Sequence, residues 1–141
     1  MTSNFPVSIT RVVKWGEMDA FNHVNNKVYF GWFEESRIEY FIQCGLYDYM
    51  EKNGVGPILA STNCKFKRAV TFPDNITIST GVSDISEDRF TMVYKIVSEK
   101  DSVTVAEGSA VCVVFDYKKN EKRSLPTEVE DAIREIENIE K

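Results

Sequence analysis

Asp19, His23, Asn25, Asn26 and Tyr29 sit close together in the stretch Trp15-Gly16-Glu17-Met18-Asp19-Ala20-Phe21-Asn22-His23-Val24-Asn25-Asn26-Lys27-Val28-Tyr29. His23 is the only histidine in the chain. A β-like run, Val7 to Trp15, leads into this stretch, and an apolar helical pattern, Val28 to Ile42, follows it. A carboxylate placed just before a helix can meet a carbonyl that the helix's free N–H groups polarise. Asp19 would then attack that carbonyl, or activate a water that does, with the growing negative charge received by backbone N–H near Asn26. Such a site breaks an ester or thioester without serine, cysteine or metal.

Each residue also has a plainer reading. Asp19 can make a turn or help to cap the helix. His23 belongs to no recognisable triad, because the chain lacks a Gly-x-Ser-x-Gly elbow. One histidine with no cysteine or acid cluster also cannot build a metal site. His23 therefore shapes the loop or lines a pocket. Asn25 and Asn26 serve as helix caps, a role compatible with presenting a free N–H. Tyr29 points at a substrate or packs in the core. Glu34 and Glu35 form a polar helix face, with Glu34 spaced to pair with Arg37.

These residues need a framework. A chain of 141 residues, 43% hydrophobic and 28% charged, is one soluble domain with room for a core, taken as 1–141. Its net charge of −5 speaks against a nucleic-acid surface. No apolar run approaches the roughly 20 residues of a membrane span. Met1 to Asn4 lack the character of a secretory leader. Cys44, Cys64 and Cys112, odd in number and far apart, read as reduced thiols of a cytoplasmic protein.

Residues 6–14 form a first strand, and Asn25 caps a helix that runs to Gln43. Tyr29, Trp32, Phe33, Ser36 and Tyr40 share one face of it, so the helix is largely enclosed. Gly45 suits the left-handed position that ends it. Tyr47 to Asn53 make a short helical turn closed by Gly54 and Gly56-Pro57. Four β-rich runs follow at 58–69, 75–86, 89–99 and 102–116, and their short connections favour an antiparallel meander. Val103 to Phe115 is apolar on both faces, as a central strand would be, and Gly108 within it marks a bulge or a close backbone approach. Residues 127–140 form an acidic helix with Val129, Ala132, Ile133 and Ile136 as a narrow apolar stripe. The class is α+β, with one buried helix, one sheet of about five strands and a helix at the C-terminal end; a sheet wrapped around the central helix is what the resemblance described next implies.

Asp19, then His23-Val24-Asn25-Asn26, then Tyr29, continued by Trp32-Phe33-Glu34-Glu35 and Arg37, resembles the hotdog-fold thioesterases of the 4-hydroxybenzoyl-CoA thioesterase type. The likeness resumes in Phe66-Lys67-Arg68 and in the strand-rich second half. Two positions depart from the pattern: Glu17 stands where the family often has another acid, and Asn22 where it often has Gly, though Asn also tolerates left-handed angles. The resemblance implies hydrolysis of an acyl-CoA to a free acid and coenzyme A, with Asp19 as nucleophile or base and no cofactor beyond the CoA of the substrate. Acyl carrier protein thioesters, or non-catalytic binding of acyl thioesters, are the alternatives. A second hotdog clade carries its carboxylate on the central helix, which makes Glu34 and Glu35 reserve candidates. Lys65, Lys67 and Arg68 would meet the CoA phosphates, or else simply protect a strand edge. Lys118, Lys119, Lys122 and Arg123 read as a solvated loop. The resemblance also implies a homodimer or a homotetramer of dimers with sites between subunits, and uncovered sheet edges point the same way.

Overall fold

Residue 25 is where the backbone turns from extended to helical. In the computed structural model, which describes residues 5–140, Asn25 holds φ −62 and ψ 138, and its side chain accepts the Lys27 N–H. The reading of Met1 to Asn4 lies outside the described residues. Helix α1 (Asn26–Gln43) then runs as the apolar pattern predicts, burying Tyr29, Trp32, Phe33, Ser36, Tyr40 and Phe41. Gly45 at φ 82 ends it and starts α2 (Leu46–Asn53), which Gly54 closes at φ 69.

Around α1 wraps one antiparallel sheet, built from β1 (Val7–Val12), β2 (Val55–Phe66), β3 (Asn75–Ile85), β4 (Arg89–Ser98) and β5 (Val103–Asp116), with β6 (Glu121–Lys122) folded back on β5. The strand order is β1-β3-β4-β5-β2. Register slips at Leu59/Ser61, Val82/Asp84 and Ile96/Val97 add local twist, which lets the sheet curl about the helix. Phe33 of α1 stacks on Tyr94 of β4 with ring centroids 4.4 Å apart. The Gly108 expectation holds as a close approach: a Cβ there would collide with the Asn63 carbonyl and the Phe33 ring.

The meander is only partial. β3, β4 and β5 are neighbours in sequence and space, but β2 pairs with β5 at the far edge instead of with β3. Residues 67–74 are too long for a hairpin and carry the chain across the molecule. Gly56-Pro57 does not close the helical turn either; both lie inside β2, where an edge position tolerates a proline. β6 was not foreseen, being two residues long.

The acidic segment forms α3 (Thr127–Glu137), and its stripe buries Val129 and Ile133. Its last residue is the notable one. Glu137 is buried, and its Oε2 accepts the Tyr40 hydroxyl at 2.6 Å and the Val82 N–H at 2.9 Å. Burial, partly offset by these two bonds, pushes the carboxyl above the usual range. No helix among the described residues is long and apolar enough to cross a membrane.

Candidate active site

Between β1 and α1 the chain makes a 3-10 turn, Trp15–Glu17, and then a miniature hairpin. Met18 and Val24 form an isolated antiparallel bridge, the Asp19 N–H donates to the His23 carbonyl at 2.8 Å, and the Asn22 N–H donates to the Asp19 carbonyl at 3.0 Å. Asn22 takes φ 63, a backbone state that asparagine tolerates. Two bonds brace the hairpin from outside: the Val24 N–H donates to the Val70 carbonyl, and the Asn25 N–H to the Glu17 carbonyl. The Glu17 carboxylate accepts the Lys14 N–H at 2.7 Å, so it steadies the turn.

Half-buried Asp19 sits on this loop. Its Oδ1 accepts the Phe21 N–H at 2.9 Å, and its Oδ2 has no partner among the described residues. One carboxylate oxygen thus holds the turn and the other stays available. At the helix start, the Lys27 N–H goes to the Asn25 side chain at 3.0 Å and the Val28 N–H to the Asn25 carbonyl at 2.9 Å. The Asn26 N–H is taken by nothing among the described residues. It is a free donor at the positive end of an 18-residue helix.

That donor opens on a cleft of about 250 Å³, lined by His23 from the loop, Asn26 and Tyr29 from the helix, Phe66 from the end of β2, and Lys67 and Arg68 just beyond it. Three of the sequence candidates stand outside its lining. Asn25 acts as the cap, Lys65 lies further back along β2, and Asp19 lies on the adjoining hairpin. Wider hollows exist, one of about 520 Å³ beside Asp74, but that carboxylate is occupied by Ser98 and the Lys100 N–H. Tyr29 is buried beneath the cleft, edge-on to Phe66 at 5.0 Å. Burial raises its phenol's pKa, with the Val70 backbone pulling the other way. His23 is exposed on the rim.

The basic residues are unequal. Lys67 Nζ lies 2.7 Å from Glu107 Oε1, whereas neither Lys65 nor Arg68 has an ion pair among the described residues. Glu107 was missed because only the register, which sets it opposite Lys65, brings it there. The expected Glu34–Arg37 pair does not form. Arg37 turns inward and donates to the Tyr94 hydroxyl at 2.9 Å, giving that buried group a partner. Burial pushes the Tyr94 phenol up to about 12, against the opposing pull of Arg37. Glu35 pairs instead with Arg11 of β1 at 2.5 Å, and Glu34 stays exposed without an ion pair among the described residues.

Rival nucleophiles are poorly placed. Burial pushes the Cys44, Cys64 and Cys112 thiols up to about 11, so they stay protonated near neutral pH. No cluster of three or more His, Cys, Asp or Glu able to hold a metal occurs among the described residues.

The family model of the thioesterase-like superfamily matches residues 13–133, which include the loop, the helix and every strand after β1. The chain belongs to the thioesterase-like superfamily. Its curled antiparallel sheet around a central helix is the hotdog fold, and by its membership it is a thioester hydrolase. This superfamily member is 20% identical to the long-chain acyl-CoA thioesterase FadM of Escherichia coli, over 88% of this chain and 94% of that one. Among solved structures, a thioesterase of Thermus thermophilus complexed with coenzyme A and Zn superposes with TM-score 0.86 at 21% identity, covering 99% of this chain and 100% of that one. A DHNA-CoA thioesterase of Staphylococcus aureus gives TM-score 0.84 at 21% identity, covering 94% and 91%. At those identities the superpositions speak for the fold.

Proposed function

We propose that the chain hydrolyses an acyl-CoA to a free carboxylic acid and coenzyme A in the cleft between the loop, the start of α1 and the end of β2. The free Asn26 N–H beside the Asp19 hairpin carries this reading. The thioester carbonyl oxygen takes its charge toward that N–H and the helix dipole. Asp19 Oδ2 draws a proton from water, the hydroxide adds to the carbonyl carbon, and the C–S bond breaks as the oxyanion collapses. The CoA thiolate leaves and recovers the proton. Alternatively, Asp19 attacks directly and water hydrolyses the resulting anhydride; oxygen-18 entering its carboxylate in a single turnover distinguishes this route. His23 and Tyr29 border the acyl end of the cleft, and Arg68 and Lys67 face the phosphates of CoA. The long-chain acyl-CoA thioesterase FadM and the CoA-bound Thermus thermophilus structure support CoA as the carrier.

Neither a cofactor nor a metal belongs to this scheme, and three free thiols fit a cytoplasmic setting. Assembly belongs to it as well. β2 is a 12-residue edge strand whose residues from Ile58 to Asn63 are all exposed, and Phe66 and Phe30 beside it are 41% and 36% exposed. A strand so open on both faces is a template for another strand. A second copy, joined β2 to β2 across a twofold axis, covers it, and pairs of such dimers form a tetramer.

A thiol-release screen over acyl-CoAs of graded chain length and aryl-CoAs, with and without chelator, tests the activity. Release on one or more substrates that survives chelator supports it, and silence across the panel or full loss with chelator refutes it. Light scattering should give a dimeric or tetrameric mass, and a fully active monomer would contradict the assembly.

A further inference from the structure

The sheet registers gather three loops at one end of the molecule. Val12 pairs with Asn75, Ile76 with Ser98, Ser98 with Val103, and Ala106 with Phe66. The segment 13–25, the crossover 67–74 and the β4–β5 turn 99–102 therefore all leave the sheet there, and α1 starts there. The cleft beside Asn26 opens at the same end. The β5–β6 turn lies at the other end, where Val55 pairs with Asp116.

These loops hold apolar rings out in water. Trp15 is 72% exposed and Phe21 81%, the two highest values among the large apolar side chains of the described residues. Val12 and Phe72 are exposed as well. The crossover lies against the hairpin, because the Val13 N–H donates to the Asp74 carbonyl and the Phe72 N–H to Met18 Sδ. The exposed charges here are Lys14, Lys27, Lys65, Lys67, Arg68 and Lys100 against Glu99 and Asp101, on a chain whose net charge is −5. The remaining carboxylates of this end are half-buried or buried, and each is engaged. Glu17 accepts the Lys14 N–H, Asp19 the Phe21 N–H, and Asp74 the Ser98 hydroxyl and the Lys100 N–H, while Glu107 holds the Lys67 ammonium.

One exposed aromatic is ordinary; two on neighbouring loop tips, flanked by lysines, make a pattern. Rings at headgroup depth with cations against anionic lipid are how a protein seats on a bilayer without spanning it. A protein partner would need one packed patch of about 800 Å² on each side. Side chains carried on separate loops can instead enter a fluid surface one by one.

We infer that this end of the molecule docks reversibly on an anionic lipid surface, with Trp15 and Phe21 entering the interface and Lys14, Lys27 and Lys100 meeting the headgroups. The mouth of the cleft then faces the lipid, and an acyl-CoA, itself an amphiphile, reaches it from the surface. That consequence rests on the proposed acyl-CoA activity, but the docking does not.

Cosedimentation of the full chain with vesicles tests the docking without turnover. It should bind vesicles of equal parts phosphatidylcholine and phosphatidylserine, bind phosphatidylcholine alone far more weakly, and release as salt rises. Of the two tryptophans Trp32 is buried, so Trp15 reports, and its emission should shift to the blue on binding. Changing Lys14, Lys27 and Lys100 together to Gln should weaken binding on the order of a hundredfold, at about fivefold per cation. Trp15→Gln with Phe21→Gln should weaken it about tenfold or more. Lys118, Lys119 and Lys122 changed to Gln remove the same charge at the other end and should leave binding as it was. The single variants Lys14→Gln and Trp15→Gln cover a multiple variant that does not fold. No binding to the anionic vesicles, or equal loss from both lysine sets, overturns the inference. A lower mass by light scattering for the Trp15 and Phe21 double variant, with vesicle binding unchanged, also overturns it, because a second copy would then cover these rings. Silence in the thiol-release screen refutes the hydrolase reading alone.

Discussion

Asp19→Asn keeps the shape of the residue and removes its charge, so it separates chemistry from scaffolding. In the structure Asp19 makes one side-chain bond, Oδ1 to the Phe21 N–H at 2.9 Å. The asparagine Oδ1 accepts the same N–H, so the stability change should stay under about 0.5 kcal/mol, or about 2 °C in melting temperature for a chain of this length. Asp19→Ala loses that acceptor and should cost about 0.5–1.5 kcal/mol, or about 2–5 °C. Activity should divide differently. Both variants lose the base or nucleophile, and each should fall on the order of a hundredfold or more, equivalent to about 2.7 kcal/mol of barrier. Thiol release on the best acyl-CoA and a thermal melt, run side by side on both variants, give the two readouts. The reasoning fails if Asp19→Asn keeps more than about a tenth of wild-type activity while Asp19→Ala is dead. The residue would then supply loop geometry and not charge, and Glu34, exposed and without an ion pair among the described residues, would be the next carboxylate to change.

Gly108→Ala forces a methyl against the Asn63 carbonyl and the Phe33 ring, which is overpacking worth about 1–3 kcal/mol; the melt should drop by about 3–9 °C, and an unchanged melt would mean the strands separate freely there. Glu137→Gln should alter the pH dependence of stability. The folded-state pKa of Glu137 is raised, so its contribution is fully present below the ordinary Glu range and is lost as pH climbs through the raised value. Glutamine can still accept from Tyr40 and the Val82 N–H but does not ionise. Its melting temperature relative to wild type should therefore improve as pH rises above the ordinary Glu range, and a constant difference would refute the assignment.

Local signals were legible in the sequence, and distant ones were not. The Asn25 cap, the face from Tyr29 to Tyr40 and the Gly45 stop all act within a few residues of themselves, and all appear as read. The Asp19 loop was readable for the same reason, because its bonds close within a single short hairpin. The other wall of the cleft arrives by a crossover that periodicity does not encode, since β2 could pair with β3 or with β5 on equal local grounds. Helix spacing also offered Glu34 to Arg37, but it could not register that a tyrosine buried on β4 would claim the guanidinium first.

Glu137 meets Tyr40 across 97 positions of sequence. On the ribosome the central helix and β3 emerge long before α3, and domains begin to fold from the N-terminal side as they appear. Until residue 137 has been made, the Tyr40 hydroxyl and the Val82 N–H lack their acceptor, and the core they belong to must stay wet or loose. Completion of this fold thus waits for α3 to emerge, and a nascent chain stalled short of α3 would carry an unfinished interior that quality control can recognise.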